Sequence, residues 1–223
     1  SGSVYATQNS TLNSQRQVTN SGTIAALGNT SVAGAGVNST GSLGAGVDAN
    51  GNVTGTGNLS VTGSGAVTAA GQQMAGGNLA LSGSSLNMAG GQTLTKGNAS
   101  LTATGAGGDT GNIVHTGASL ETSGILTANA AGTVTNDLGR VSAAQLSVTA
   151  GGISNRGGML SQTGASDTTL AASGAFDNTG GTVTTNAQNT TIRSGSLTNA
   201  SGTISQAGTG ALGIKTGALD NGH

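Results

Sequence analysis

The sequence that decides the fold is Ile153-Ser154-Asn155-Arg156-Gly157-Gly158-Met159-Leu160, in which Asn follows an apolar residue by two positions and Gly precedes a second apolar residue. Further copies, the last of them truncated, begin at Val18, Val134, Phe176, Leu197 and Leu219. From Val134 onward the copies start 19, 23, 21 and 22 residues apart. Recurrence at about 20 residues predicts a stack of one repeated supersecondary unit.

The composition excludes an ordinary globular core. The 223 residues include 43 Gly, no Pro, Cys or Trp, one Tyr and one Phe, and 6% are charged. Globular cores take much of their buried area from aromatic side chains, which are nearly missing here. A disordered chain typically combines low hydrophobicity with high net charge, whereas this chain has a formal net charge of -1 and regularly spaced Val, Leu and Ile. A repeat structure is therefore favoured over disorder.

Alignment of the copies gives three apolar columns per repeat. The first column is Val18, Val37, Val67, Leu86, Ile113, Val134, Ile153, Phe176, Leu197 and Leu219. The second is Ile24, Leu43, Met74, Thr93 or Leu94, Leu120, Val141, Leu160, Val183 and Ile204, and the third is Leu12, Val32, Val61, Leu81, Val148, Leu170, Ile192 and Ile214. Around these positions apolar and small polar residues alternate, as in Leu146-Ser147-Val148-Thr149, which is typical of a strand with one buried face. Three columns predict three short strands per coil.

Glycine and proline support a stack of strands rather than helices. Each Gly within a helix costs about 1 kcal/mol relative to Ala, whereas Gly readily forms the corners between strands. A strand paired on both sides must donate every N–H, which fits a chain without Pro. We therefore predict an all-β fold in which residues 1–223 form a single parallel β-helix of roughly ten coils of about 20–22 residues, near 50 Å long.

The Asn of the repeated pattern predicts a hydrogen-bonded ladder. It follows the first-column residue by two positions, so it lies on the inward side where the strand ends. Stacked amides at this position can bond to one another and to the turn backbone. The predicted ladder consists of Asn136, Asn155, Asn178, Asn199 and Asn221, beside a core column of Val134, Ile153, Phe176, Leu197 and Leu219. Nearer the start, Asn20 is followed in this position by Ser39, Ala69, Met88 and His115, which should break the ladder.

Two insertions interrupt the repeat. The first column advances by 30 residues between Val37 and Val67 and by 27 between Leu86 and Ile113. We expect looser loops near 44–52 and 104–112, since insertions in solenoids emerge on one face. Between them, Gly57-Asn58, Gly77-Asn78 and Gly97-Asn98 recur every 20 residues, which predicts a stacked turn before the third-column strand.

The Gly-rich, aromatic-poor coils with this Asn-Gly turn resemble the filamentous haemagglutinin repeat region of two-partner-secretion exoproteins, a group of bacterial adhesins and contact-dependent growth inhibition effectors. The resemblance covers most of the chain and is strongest from about Leu126. It implies a right-handed parallel β-helix, secretion to the bacterial cell surface and an outer-membrane barrel as secretion partner. Because the sequence ends partway through a repeat and has no recognisable signal, secretion domain or toxin, we expect a fragment of a larger protein.

Catalysis is not expected. The carboxylates are scattered, without the close pairing that acid–base chemistry needs, and His115 falls in the Asn column, where it is best interpreted as a structural corner residue. Gly208-Thr209-Gly210-Ala211-Leu212-Gly213 matches a dinucleotide fingerprint by letters but lacks the following helix and acidic residue. We therefore predict no catalytic, cofactor-binding or metal-binding residues and no cofactor. The near-neutral charge gives no reason to expect nucleic acid, and no apolar run is long enough for membrane insertion.

Three functional hypotheses remain. The first is a structural shaft segment that projects a distal receptor-binding or toxin module. The second is a module that itself binds a cell-surface receptor or glycan through the inserted loops, and the third is a polysaccharide-active β-helix enzyme. The coil register further predicts that Arg193 and Lys215 project outward on adjacent coils and that Asp137 and Arg156 are neighbours of opposite charge.

Overall fold

A computed structural model describes residues 2–222. In chain order the strands of the first half are β1 (Ser3–Ala6), β2 (Ser10–Asn13), β3 (Val18–Asn20), β4 (Thr23–Ala26), β5 (Thr30–Gly34), β6 (Val37–Ser39), β7 (Ser42–Ala45), β8 (Leu59–Gly63), β9 (Val67–Ala69), β10 (Gln72–Ala75), β11 (Leu79–Gly83), β12 (Leu86–Asn87), β13 (Gln92–Thr95), β14 (Ala99–Ala103) and β15 (Ile113–Val114). Those of the second half are β16 (Ser119–Thr135), β17 (Arg140–Ser154), β18 (Met159–Gln162), β19 (Thr168–Ala172), β20 (Ala175–Asp177), β21 (Thr182–Thr185), β22 (Thr190–Thr198), β23 (Thr203–Gln206) and β24 (Leu212–Asp220). A single 3-10 turn, Ala106–Gly108, is the helical segment within the described residues.

The strands stack into three parallel faces. Face A carries the first apolar column, face B the second and face C the third, and each coil passes through C, A and B in turn. Equivalent segments of consecutive coils pair in parallel, for example Ile153 with Phe176 on face A and Val148 with Leu170 on face C. The long strands β16, β17, β22 and β24 continue around corners from one face to the next. The predicted parallel β-solenoid is confirmed, with about ten turns and coils of about 21 residues.

The core is a narrow channel filled by one inward row from each face. On face A the structure stacks Val134, Ile153, Phe176, Leu197 and Leu219 in unbroken register. Phe176, the only Phe, is fully buried at the centre of this row, whereas Leu219 on the last described coil is 59% exposed. Face C stacks Leu12, Val32, Val61, Leu81, Leu101, Ala128, Val148, Leu170, Ile192 and Ile214, so Leu101 and Ala128 complete the third column.

Face B corrects one part of the predicted second column. The inward residue of β10 is Gln73, not Met74, and Thr93 rather than Leu94 lies above it. Met74 and Leu94 point outward in register. The expectation was wrong because it matched residue type instead of strand parity. Ala75 pairs with Ala45 inside the channel, and alternation then forces Met74 onto the outer surface.

Segment 46–58 separates β7 from β8, and segment 104–112 separates β14 from β15. Both lie at corners, so the coils on either side remain in register: Thr30 pairs with Leu59, and Leu86 with Ile113. The extra residues therefore lie outside the three inward rows and leave the core unbroken.

Candidate functional site

The turn that ends each face A strand positions the ladder. In the coil of Asn155, the Gly158 N–H donates to the Asn155 carbonyl oxygen at 3.2 Å, and Gly157 between them has φ 58. That left-handed conformation favours Gly. A Cβ on Gly158 would lie 2.1 Å from the carbonyl oxygen of Asn136 in the preceding coil. Glycine is therefore required at these two positions for different reasons. Gly157 adopts a positive φ, and Gly158 lets consecutive coils approach each other closely.

The structure brings the five predicted ladder residues into one continuous chain of hydrogen bonds. Each amide nitrogen donates to the amide oxygen of the next Asn at 2.7 Å, from Asn136 through Asn155, Asn178 and Asn199 to Asn221. Asn155 and Asn178 are fully buried, and Asn221 on the last coil is exposed.

Each ladder amide also bonds to turn backbone. The Nδ2 of Asn178 donates to the carbonyl of Gly181 in its own turn at 3.2 Å and to that of Thr203 in the next coil at 3.3 Å. Carbonyl oxygens only accept, so these contacts fix which end of the amide is nitrogen. The ladder therefore has a direction, with every donor pointing towards the carboxy-terminal end of the rod.

His115 lies directly before this chain. Its Nδ1 is 2.7 Å from the Oδ1 of Asn136, the one ladder oxygen that no Asn reaches. The imidazole is 3% exposed, and its Nε2 is buried without a hydrogen-bond partner among the described residues. Burial lowers the pKa of His115, and the hydrogen bond to Asn136 offsets this only in part.

Near the start of the rod, Asn20 makes the isolated contacts expected of it. Its Nδ2 donates to the Ser39 hydroxyl oxygen at 3.0 Å and to the Ser42 carbonyl at 3.1 Å, and its Oδ1 accepts from Gly22 N–H. Ala69 and Met88 then occupy the column without amides, so no ladder links Asn20 to Asn136.

A second ladder occupies the Gly-Asn corner before face C. Here each exposed Asn accepts, through Oδ1, the backbone N–H of the next Asn at 2.7–2.8 Å, in the order Asn9, Asn29, Asn58, Asn78 and Asn98. Sequence reasoning found the stacked turn at residues 57–98 but missed its extension to Asn9 and Asn29. The same 20-residue step, from Asn9 to Asn29, was the available signal.

The first inserted segment folds back over the outside of face B. Val47 is fully buried and pairs with Val53 in an antiparallel bridge, and the Tyr5 hydroxyl donates to the Val47 carbonyl at 3.4 Å. A Cβ on Gly44 would lie 2.7 Å from a Val47 methyl, so Gly44 makes room for the insertion. At its tip, Asp48 accepts the backbone N–H groups of Asn50 and Asn52, and these hydrogen bonds, with one from the Asn52 side chain, lower the pKa of Asp48.

Beside this insertion the outer surface of face B forms two adjoining depressions of about 450 and 340 Å³. They share Gln72 and Met74, and the second continues over Gln92, Leu94 and Glu121. On the coils of β10 and β13, one amide side chain (Gln72 or Gln92) therefore lies beside one apolar side chain (Met74 or Leu94). On the next coil, Ser119 and Glu121 occupy these two positions.

The second inserted segment is anchored by Asp109. Its carboxylate accepts hydrogen bonds from the hydroxyls of Ser84 and Ser85, at 2.7 and 2.8 Å, and these contacts lower its pKa. The segment is thus tied to the preceding coil at the corner between faces C and A.

Asp137 and Arg156 are neighbours on adjacent coils, as the coil register predicts, but they do not form an ion pair. Arg156 pairs with Asp177 of the following coil, with Nε 2.6 Å from Oδ2, and not with Asp137. Asp137 instead accepts from the backbone N–H of Arg156 and the hydroxyl of Ser154. Partial burial would raise the pKa of Asp177, but hydrogen bonds from Thr179 and the Arg156 guanidinium hold it below its usual value. Arg193 and Lys215 are exposed and in register on adjacent coils, as the coil spacing predicts.

Across residues 2–222, no three His, Cys, Asp or Glu side chains cluster as a metal site would require. Over the same range, no helix has the length and apolarity needed to cross a membrane.

A family model for the haemagglutinin repeat matches the chain over residues 1–63, 39–106, 87–137, 126–180 and 181–223, which together span its whole length. Comparison with curated proteins and with solved structures gives no match. The family consists of secreted or surface-located, adhesin-type shafts. This agrees with a rod in which the buried apolar side chains and the Asn ladder join consecutive coils. The chain therefore belongs to the haemagglutinin repeat family, and the resemblance to the filamentous haemagglutinin repeat region is confirmed.

Proposed function

We propose that residues 1–223 form one rod within a longer secreted exoprotein, and that this rod holds a distal receptor-binding or toxin module away from the bacterial surface. The observation that carries the proposal is the uninterrupted register of all three inward rows, which makes each coil a nearly interchangeable spacer. About ten coils at a strand spacing of about 4.8 Å give a reach near 50 Å. The distal module would define the exoprotein as an adhesin or as a contact-dependent growth inhibition effector.

Secretion through a partner outer-membrane barrel fits the chain chemically. It has no Cys to form disulfides in the periplasm, and its strands have their partners in the immediately neighbouring coils. A rod that folds by adding one coil to the previous one needs no distant segment to begin. Co-expression with and without the partner barrel, followed by assay of surface exposure, tests this step.

The spacer role is tested by deleting whole coils from the full exoprotein. Removal of residues 155–177 joins Ser154 to Asn178, which preserves the strand, the turn and the ladder register. We expect normal secretion, retained binding or growth inhibition by the distal module, and a rod shorter by about 5 Å per coil in electron micrographs. Target-cell binding by the purified 223-residue segment alone, at the level of the full exoprotein, would contradict a purely structural role.

We propose glycan binding along face B as a second candidate function. The depressions beside the inserted segment support it, because Gln72 and Gln92 offer amides at strand spacing next to apolar Met74 and Leu94. Such rows match the alternating hydroxyl and C–H faces of linked sugar rings. Glycan-array binding by the segment should be lost in Gln92→Ala/Leu94→Ala and retained in Ser100→Ala on face C. Equal binding by both variants would refute the site.

A further inference from the structure

We propose that His115 is an acid-sensitive joint in the rod: proton uptake by this buried imidazole opens the stack between the coil of Met88 and the coil of Asn136. The proposal concerns the folded rod itself and does not depend on which distal module the rod supports.

The Asn ladder fixes the tautomer of His115. The Nδ2 of Asn136 already donates to Asn155 Oδ1 at 2.7 Å and to the Met159 carbonyl at 3.1 Å, so only its Oδ1 can face the imidazole. An amide oxygen accepts and never donates, and therefore Nδ1 of His115 carries the proton in their 2.7 Å hydrogen bond. In the neutral ring the second nitrogen, Nε2, is then unprotonated.

The surroundings of Nε2 suit a bare nitrogen and not an N–H donor. In the preceding coil the same column position is occupied by Met88, which is 1% exposed, and no described group hydrogen-bonds to Nε2. A proton on Nε2 would place a positive charge and an unsatisfied donor inside the channel. Burying such a group without a partner is costly, so the protonated ring favours a conformation in which it reaches water.

The neighbouring charges do not compensate for that proton. Lys96 on the preceding coil, Glu121 on the same coil and Arg140 on the next are all exposed on the outer surface. The carboxylate of Asp137, in the next coil, is already bonded to Ser154 and Arg156. That of Asp109, at the corner between faces C and A, is bonded to Ser84 and Ser85. The ring's one hydrogen bond, to neutral Asn136, is available to both the neutral and the protonated forms.

The direction of the pH effect follows from linkage. Burial lowers the pKa of His115 in the folded chain below the unfolded value of about 6.5. At pH values between these two pKa values, the unfolded or opened chain therefore binds more protons than the folded chain. Stability contributed by the neutral ring is present above about pH 6.5 and is lost as the pH falls towards the pKa of the folded state. The carboxylates with lowered pKa values, such as Asp177, lose their contribution only below about pH 4, so the two effects occur in separate ranges.

The position of His115 determines where the rod opens. It separates the half with the exposed Asn ladder from the half with the buried one, and it follows the inserted segment 104–112. In a solenoid, stability is approximately a sum of nearest-neighbour coil contacts, so one weakened contact uncouples the two halves without melting either.

Amide hydrogen exchange on the 223-residue chain at pH 7.5 and pH 5 tests the proposal, with rates corrected for intrinsic pH dependence. Protection should fall by more than about twofold in the coils of Met88, His115 and Asn136, up to a limit of about thirtyfold at pH 5 that the ordinary histidine pKa of about 6.5 sets, and by less than about twofold in the coil of Asn178. His115→Asn, which continues the ladder with an uncharged amide, should abolish the local loss. An equal loss in the variant, or a uniform loss in every coil, would overturn the proposal.

A titration of the wild-type chain gives a readout that does not depend on the folding of any variant. In nitrogen-15 histidine spectra, His115 should show the Nδ1–H tautomer at neutral pH and titrate below the ordinary histidine pKa of about 6.5. The variant His223→Gln identifies which of the two histidine signals belongs to His115. Titration of His115 at its ordinary pH, or an Nε2–H tautomer, would contradict the proposed joint.

Discussion

At the scale of single residues, the solenoid is regular enough for departures from the repeat to stand out. The third residue of the face A turn has a positive φ in consecutive coils, at Gly90, Gly117, Leu138, Gly157, Gly180 and Ser201. Leu138 is the unexpected member: its φ is 56 and its side chain is 72% exposed. A left-handed conformation costs an L-residue about 1–2 kcal/mol, and this exposed side chain buries little area to offset the cost.

Replacement of Leu138 by Gly should therefore stabilise the rod. Relief of the strained φ exceeds the greater entropy that Gly has in the unfolded chain, so we expect a gain of about 0.5–1 kcal/mol in the free energy of unfolding. Leu138→Ala is the matched control, because it removes the exposed side chain but keeps the strain. Denaturant unfolding of both variants measures the difference, and equal stability of the two would show that φ strain is not the cause.

Gln73 is a second departure: with Thr93 of the next coil it forms a polar pair in the otherwise apolar inward row of face B. Its Oε1 accepts from the Thr93 hydroxyl at 3.0 Å, but its Nε2 is buried and unpaired within the described structure. We expect Gln73→Leu/Thr93→Val to raise the free energy of unfolding by about 1–3 kcal/mol, the usual cost of a buried orphan donor. Urea unfolding tests this prediction: the midpoint should rise while the m-value, the slope of the free energy of unfolding against urea concentration, stays the same. A less stable double variant would mean that the pair is needed for packing in this coil.

At the scale of elements, the two Asn ladders differ in whether water could satisfy the groups that they hydrogen-bond. The buried ladder satisfies amides and turn carbonyls that have no access to water, whereas the exposed ladder accepts backbone N–H groups that water could also satisfy. Loss of a buried partner costs about 1–3 kcal/mol, and a solvent-exposed hydrogen bond contributes less. The ladders should therefore differ in stability contribution although their spacing is the same.

Substitution of ladder residues tests this difference. Asn178→Ala leaves the Nδ2 of Asn155, the Oδ1 of Asn199 and two turn carbonyls with fewer partners. We expect it to lower the unfolding midpoint clearly more than Asn20→Ala, because Asn20 has a single hydrogen-bonded neighbour in its column, Ser39, and lies near the fraying end of the stack. Asn78→Ala in the exposed ladder should have the smallest effect. Thermal unfolding followed by circular dichroism ranks the three, and equal small losses would show that the apolar rows alone hold the rod.

At the scale of the whole molecule, the rod depends on contacts between neighbouring coils and hardly on charge. Its formal net charge is -1, and Arg156–Asp177 is the one ion pair found in residues 2–222. Surface ion pairs contribute at most about 1 kcal/mol and are screened by salt. The remaining stability comes from inward apolar side chains and parallel strand pairing.

The unfolding temperature should accordingly change little with salt. Between low salt and 0.5 M sodium chloride we expect a shift of a few degrees at most, because few charge interactions are available to screen. Lys215→Ala should also leave the melting temperature nearly unchanged, since its side chain is exposed beside Arg193 of the adjacent coil. Scanning calorimetry measures both, and a large loss in the variant would show that Lys215 packs against the rod.

Much of the fold could be predicted because a strand's side chains alternate with a period of two and the corners recur. Val134, Ile153 and Phe176 share parity and spacing, so their vertical stack followed from counting residues. Other features could not be obtained this way. Arg156 pairs with Asp177 of the following coil instead of Asp137 of the preceding one, and this choice depends on the side-chain rotamers of both coils. The burial of Val47 over Gly44 depends on how the inserted segment folds back, which residue spacing does not specify.

The sequence by itself determined the family, the parallel solenoid, the coil length and the residues that form the buried ladder, because each depends on periodicity along the chain. Tertiary structure alone decided the direction of the ladder, the burial of Gln73 in place of Met74, and the burial of His115 Nε2 without a hydrogen-bond partner among residues 2–222. These features depend on which atoms of successive coils lie within hydrogen-bonding distance, about 3 Å, of one another. The spacing of residues along the sequence does not specify such distances between coils.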